Sequence, residues 1–441
     1  MPIPSPGSKP TNIRWLIVAM LIGFPFLGQL NRYAISVAGN AHFIGEGKLS
    51  EEQMGLVYSA FLLVYTIGML PGGWVIDRVG PRWAMTGMGL GLGFWAALTG
   101  TLGWLGLAVT AMFVPLLVIR GLAGATSVPL HPGAARSVSL WLPLSERSTA
   151  NGLVTAGALV GIALTYPGFG WLMEQVGWQW AFVICGTTLM LFALVWCVMA
   201  ADDPVGHRWA NPAERQLVAE GGHIPPRTRA ALRDFLRLLR NRGLVLLTLS
   251  YGAVGYVQYM FFYWVEYYFG KELELPPSES RAAAFTITMA MAVGMAGGGW
   301  VSDRLCRWFG HTAGCRVMAL GGMGLGALFS LLGVSTREPQ QVVWCFSLAL
   351  GALGLCEGIF WTTAPTLEKR NGGLACALLN TGGNGVGMLA PIFTPVLGLH
   401  YGWTAAIVVA CVVCGVGGLL WVGIQLSASD EASPDPKTEQ W

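Results

Sequence analysis

The hydrophobic positions of this chain fall in long runs rather than in alternation. A bilayer-crossing helix needs about 20 mostly apolar residues. Runs of that kind recur near 13–39, 52–76, 83–105, 108–135, 148–172, 178–200, 244–270, 280–305, 314–334, 340–366, 373–400 and 403–426. The pattern predicts an all-α membrane protein with twelve spanning helices, the longer ones tilted or projecting past the lipid. The expected domains are an N-terminal six-helix bundle (1–200), a central loop (201–243), a C-terminal six-helix bundle (244–426) and a polar tail (427–441). The central loop carries Arg208, Arg215, Arg227, Arg229, Arg233, Arg237, Arg240 and Arg242. From Thr228 to Arg242, Leu232, Phe235, Leu236 and Leu239 recur at helical spacing between arginines, which predicts an amphipathic helix lying on the membrane surface. Met1 to Thr11 is polar and Pro-rich, and the apolar run after it is longer than a signal-peptide core. It is expected to be retained as the first span.

Composition agrees with this picture. The chain has 441 residues, of which 54% are hydrophobic and 11% charged, where soluble domains carry roughly 25% charged residues. Lipid must therefore cover part of the surface. A net charge of +3 is too small to suggest a nucleic-acid partner. Lys9, Arg14, Arg78, Arg82, Arg136, Arg147, the central loop, Arg304, Arg307, Arg316, Lys369, Arg370 and Lys437 fall on one side of the expected membrane. Only Lys48, Lys271, Arg281 and Arg337 fall on the other. Basic loops stay inside the cell, so both termini are expected in the cytoplasm, as an even number of spans requires. The nine cysteines form no double pair of metal-ligand type, and Cys411 and Cys414 sit within an apolar run. They read as small buried side chains, and no metal or cofactor is expected.

The two halves repeat each other. Gly72-Gly73-Trp74-Val75-Ile76-Asp77-Arg78 returns as Gly298-Gly299-Trp300-Val301-Ser302-Asp303-Arg304. Gly87-Met88-Gly89-Leu90-Gly91 returns as Gly322-Met323-Gly324-Leu325-Gly326, and Gly177-Trp178 as Gly402-Trp403. Two similar halves joined by a long loop describe a transporter that rocks about a central site. Three charges lie inside expected spans: Arg32, Arg120 and Glu357. Each costs about 2.5–3.5 kcal/mol at a span centre. Two guanidinium groups facing one cavity would bind an organic anion through paired hydrogen bonds; the structural alternative is a salt bridge or a carbonyl cap. Glu357 reads equally as a proton carrier or as the structural partner of an arginine. Trp361 and Thr362 lie one turn beyond it, and Asn380 and Asn384 share a helix face. His131, beside Pro132, reads as a helix-breaking or capped position.

The segment Gly72 to Arg82, GGWVIDRVGPR, resembles the signature loop of the major facilitator superfamily. Within that superfamily the chain is similar to the anion:cation symporters, which include bacterial sugar-acid importers and vesicular glutamate and sialic acid carriers. The resemblance rests on Asn31 to Ala38, Ser59 to Trp74, Arg120-Gly121-Leu122 with Trp141 to Leu153, Gly177 to Phe182 with Asp203-Pro204 and His207, and the helix 7 aromatics Tyr259, Phe261, Trp264 and Tyr268. It implies a major facilitator fold, substrate contact and coupling through Arg32 and Arg120, and a cavity-lining role for Tyr65. Tyr259 and Trp264 could contact the ligand or serve only in packing, and Asn380 and Asn384, in a region where the family often has an asparagine, either line the cavity or bond another helix. Asp77 with Arg78, and by repeat Asp303 with Arg304, would form gating pairs that make and break during the cycle. The chain departs from the family at Asn31 and Ser127, where acids are usual, at Ala158, and at Glu266, where helix 7 usually has proline. An amide and a hydroxyl carry no proton, so the expected coupling group is Glu357, with an exchanger, a uniporter or another coupling cation as alternatives.

The resulting expectation is a monomeric secondary active transporter that moves a small carboxylate, such as a sugar acid, by alternating access.

 The coupled ion is expected to be a proton, and the membrane the cytoplasmic (inner) one. The neighbouring alternative is an organophosphate or inorganic-anion antiporter of the same fold. A non-transporting sensor or a membrane enzyme would need an appended signalling domain or a cluster of His with Asp or Glu near one interface, and neither is visible in the sequence.

Overall fold

A computed structural model describes residues 9–46, 48–106, 111–220, 237–368 and 372–425. Among these residues the chain is helical, with no strand. The helices are α1 (Ile13–Ala38), α2 (Glu51–Val79), α3 (Pro81–Thr101), α4 (Phe113–Ser127), α5 (Leu130–Trp141), α6 (Leu144–Leu164), α7 (Gly170–Met199) and α8 (Pro212–Glu220). After the central loop come α9 (Arg242–Glu272), α10 (Pro277–Phe309), α11 (His311–Val334), α12 (Pro339–Leu367), α13 (Gly372–Gly387), α14 (Ala390–Tyr401) and α15 (Trp403–Leu419).

Several expected spans are built from two pieces. The run expected at 108–135 is α4 followed by α5, with the break at Val128 and Pro129. Pro129 has no N–H to give to the helix, so the backbone bond ladder lapses there. The run expected at 373–400 breaks at Met388 and Leu389 between α13 and α14. The run expected at 148–172 starts earlier, at Leu144, and passes through a π-helical turn, Thr165–Phe169, into α7. Counted as rods, these pieces restore the expected pattern. Among the described residues, eight helical runs are long and apolar enough to cross a membrane by length and composition alone. Of the expected surface helix at Thr228 to Arg242, residues 228–236 lie outside the described residues. The sequence reading did not anticipate α8, which is docked on the N-terminal half instead.

The internal repeat has a backbone counterpart. Gly80, Gly177, Gly310 and Gly402 have φ of 83°, 81°, 80° and 86°, a region closed to most side chains. Gly80 turns α2 into α3, and Gly310 turns α10 into α11. Gly177 divides α7 into two rods, and Gly402 turns α14 into α15. The same turn therefore occurs at corresponding places in the two halves. Close helix contact follows from small residues: a methyl group on Gly186 would lie 2.4 Å from the Gly93 carbonyl, and one on Gly294 2.1 Å from that of Gly351.

The end of the bundle that carries the basic loops is tied within the N-terminal half. Glu214 on α8 is fully buried and accepts from the N–H of Ile13 and Arg14, from the Thr11 hydroxyl and from the Arg14 guanidinium. Burial works against its charge, but these bonds outweigh burial and hold its carboxyl below the usual carboxylate range. Arg14 also pairs with Glu146 at 2.9 Å.

The described bonds between the halves concentrate toward the opposite end. Tyr267 donates to Glu51 at 2.7 Å, Tyr166 to the Phe262 carbonyl at 2.9 Å and Ser59 to the Met388 carbonyl at 2.7 Å. Arg281 donates to Glu174 at 2.6 Å, and Tyr58 stacks on Tyr263 with centroids 4.8 Å apart.

Candidate functional site

Arg32 sits two turns before the end of α1, in a helix whose neighbouring residues are buried. Its guanidinium carbon lies 4.8 Å from the Phe61 centroid, 5.1 Å from Tyr33, 5.3 Å from Tyr259 and 5.7 Å from Tyr65. Tyr259 belongs to the C-terminal half, so the cation faces the junction between the halves. Its Nε and Nη2 are buried and have no hydrogen-bond partner. Arg120 on α4 lies 4.8 Å from the same Phe61 ring. It donates to the Arg32 carbonyl at 2.9 Å, while its Nε has no partner. Among the described residues neither arginine forms an ion pair. The carbonyl-cap alternative holds for one nitrogen of Arg120, and the salt-bridge alternative for neither residue. Four aromatic rings offer Arg32 a partial substitute for solvent, and one of them, Phe61, serves Arg120 as well; each favourable ring is worth about 0.5–1 kcal/mol.

On the C-terminal half, Asn384 accepts from the Tyr259 hydroxyl at 2.6 Å and donates to the Asn380 side chain and carbonyl, both at 2.9 Å. Asn380 reaches across to the sulfur of Met69 at 3.3 Å. Tyr259 thus joins the Arg32 box to the amide pair, and the candidates Arg32, Arg120, Tyr65, Tyr259, Asn380 and Asn384 form one continuous set.

Glu357 on α12 is 7% exposed and accepts from Tyr251 at 2.5 Å, Gln258 at 3.1 Å and Trp361 at 3.3 Å. Its partners are neutral, so it is not the structural partner of an arginine. Trp361 is the outer wall of this group, exposed and edge-on to Tyr251. Thr362 is also exposed, but its hydroxyl bonds to carbonyls of its own helix at Gly358 and Ile359. His131 on α5 reaches Gln29 at 3.5 Å. Trp264 is buried and donates to the Pro391 carbonyl, packing against Tyr58 and Trp403, which makes it part of the junction's seal rather than of the arginine box. Asn31 turns the other way and donates to the Leu27 and Cys185 carbonyls.

The gating candidates are less concentrated. The side chain of Asp77 lies outside the described residues, and Arg78 is exposed. Arg304 lies over the rings of Trp300 and Trp308 at 5.6 and 5.1 Å, and no described ion pair joins it to Asp303. Arg82 of the same loop donates its N–H to Asp202 and its guanidinium to the Cys197 carbonyl.

Sequence reasoning missed Phe61, Tyr33, Tyr251, Gln258 and Tyr263. Their only signal was an excess of aromatic and amide side chains at mid-span, which packing explains as readily.

The family model of the Major Facilitator Superfamily matches residues 21–368. The chain belongs to the Major Facilitator Superfamily. It is therefore a multi-pass membrane transporter and not an enzyme. It is 31% identical over 409 residues to the "Probable galactarate/D-glucarate transporter GudP" of Bacillus subtilis, covering 89% of this chain and 86% of that one. It is 27% identical over 437 residues to the D-galactonate transporter of Escherichia coli O6:H1, covering 96% and 98%. In three dimensions it is similar to a bacterial homologue of the human lysosomal transporter Spinster in an inward-facing, unoccupied conformation. That match has a TM-score of 0.76 at 17% identity and covers 97% of this chain and all of that one, which supports the fold.

Proposed function

We propose that this superfamily member moves a sugar acid or a similar small hydroxylated carboxylate across the cytoplasmic membrane. The observation that carries the reading is Arg32: a buried guanidinium, turned toward the junction between the halves, with two nitrogens unpaired and no counter-charge. A substrate carboxylate supplies both the missing charge and the missing acceptors. Arg120 adds a second positive field, and Asn380, Asn384, Tyr259 and Tyr65 offer donors and acceptors for hydroxyl groups. The named functions of the sugar-acid relatives fit this chemistry.

Transport proceeds by alternating access. The basic loops face the cytoplasm, with both termini. Most of the described bonds between the halves lie toward the other end, so the arrangement is open toward the cytoplasm and closed outside. Asp77 with Arg78, and Asp303 with Arg304, close the inner side in the opposite state. Glu357, held only by neutral donors, carries the coupled proton in place of the acids that Asn31 and Ser127 replace. The protein works as a monomer in the inner membrane.

Uptake of a panel of sugar acids, aromatic acids and phosphate esters by cells producing the wild type or Arg120→Ala tests the reading. Saturable uptake of a sugar acid that the substitution abolishes supports it. Uptake confined to phosphate esters, or equal uptake by both forms, contradicts it.

A further inference from the structure

The outer end of the bundle holds a charge cluster that the anion site does not use. Arg281, in the first turns of α10, is 6% exposed. Its Nη2 donates to Glu174 on α7 at 2.6 Å, across the junction between the halves. Its Nε lies 3.7 Å from Glu266 on α9, within its own half. Glu174 is half exposed, with 51% of its side chain open, whereas the Glu266 side chain is 7% open and its second oxygen is buried without a partner. The Asn40 amide, on the π-helical turn after α1, lies beside Glu266 and is otherwise unpaired. Arg281 also crosses Gly170: a methyl group there would lie 2.4 Å from its Nη1. The N-terminal half thus presents a notch and an acid to a cation that the C-terminal half brings with its own acid.

We infer that Glu266 is a positioning residue for outer-gate opening, the resident counter-ion that lets Arg281 release Glu174. Separating the halves at this end must break the Arg281–Glu174 pair, since its members belong to different halves. The Arg281–Glu266 pair joins neighbouring helices of one half and can survive. A cation stripped of its last partner in a buried position carries a large penalty. With Glu266 in place, opening exchanges two carboxylates for one. Without it, opening leaves a bare guanidinium. Glu174 locks the gate and Glu266 makes the lock reversible, so removing the two acids shifts the gate in opposite directions.

The inference rests on the alternating-access reading above, and its test reads the gate without needing a transported substrate. Ser59→Cys places a thiol at the sealed junction, where Ser59 now bonds the Met388 carbonyl. A membrane-impermeant maleimide is applied from outside to cells, and labelling at position 59 is followed by peptide mass spectrometry. Adding Glu174→Gln raises the labelling rate about two- to fivefold, the scale of a pair with one solvent-exposed member. Adding Glu266→Gln lowers it by roughly tenfold, and Glu266→Asp restores part of it. Thermal unfolding of each purified variant confirms a folded chain. Labelling that rises in both variants, or is unmoved by Glu266→Gln in a folded protein, overturns the role of Glu266. A failure to transport any organic anion, with these labelling shifts intact, would overturn the substrate reading and leave the gate standing.

Discussion

Replacing Arg32 with methionine separates binding from stability. The guanidinium is buried among Tyr33, Phe61, Tyr65 and Tyr259, with two nitrogens unpaired. An arginine at mid-span costs about 3 kcal/mol. Two or three favourable ring contacts return roughly 2 kcal/mol of that. The balance, about 1 kcal/mol, should favour methionine in the ligand-free protein, since methionine fills the aromatic box and carries no charge. A chain of this length then unfolds roughly 1–2 °C higher. With anion bound the sign reverses. Losing charge-assisted hydrogen bonds removes about 3 kcal/mol, a weakening of affinity on the order of 100-fold. The assay is thermal unfolding of the detergent-purified protein with and without D-glucarate or D-galactonate over a range of concentrations, because a ligand of the native state raises its melting temperature. Arg32→Met should melt higher than wild type without ligand and respond to neither acid at concentrations that shift wild type. A lower melting temperature with an intact ligand response would make Arg32 a structural residue and refute the reasoning.

Glu357→Gln keeps an acceptor for Tyr251 but holds no titratable proton; exchange of labelled for unlabelled substrate should persist while proton-driven accumulation is lost, and accumulation at the wild-type level in proteoliposomes with an imposed pH gradient would exclude Glu357 as the carrier. Gly170→Ala pushes a methyl group to within 2.4 Å of Arg281 Nη1; displacing the guanidinium should weaken the outer seal by up to about 1 kcal/mol, seen as faster external labelling of Ser59→Cys, and unchanged labelling would show that the notch is idle. Glu214 has a lowered folded-state pKa, so its contribution is present above its ordinary value of 4.5 and is lost as pH falls through the folded value. Glu214→Gln should therefore unfold at a lower temperature at neutral pH, by an amount corresponding to about 1–3 kcal/mol, and the gap to wild type should narrow below pH 4.5; parallel melting curves across that range would contradict this.

Much of the fold was legible because lipid imposes a simple rule: apolar runs of spanning length become helices. The repeat of Gly177-Trp178 as Gly402-Trp403 was visible too, but the positive-φ turns at Gly80, Gly177, Gly310 and Gly402 were not read from it. The breaks at Val128–Pro129 and Met388–Leu389 were not placed, although His131 beside Pro132 was read as a helix-breaking or capped position close to the first. Arg32, Arg120 and Glu357 stood out as charges in hydrocarbon. Their surroundings did not, since Phe61, Tyr251 and Tyr263 resemble any packed aromatic until the helices are assembled. The Arg281 cluster was hidden for the opposite reason. Glu174 and Arg281 lie near helix ends, where charges are ordinary, and Glu266 registered only as a departure from a family proline. Nothing local joins three residues that come from α7, α9 and α10.

The central claim is that an organic anion meets Arg32 in the hollow between the halves. A solved structure of the protein with a sugar acid bound, at a resolution that places its carboxylate, tests this most directly. The account predicts a carboxylate oxygen within about 3 Å of Arg32 Nε or Nη2, with Arg120 nearby and the sugar hydroxyls turned toward Asn380 and Asn384. A bound acid elsewhere, with the Arg32 nitrogens still unpaired, would contradict it.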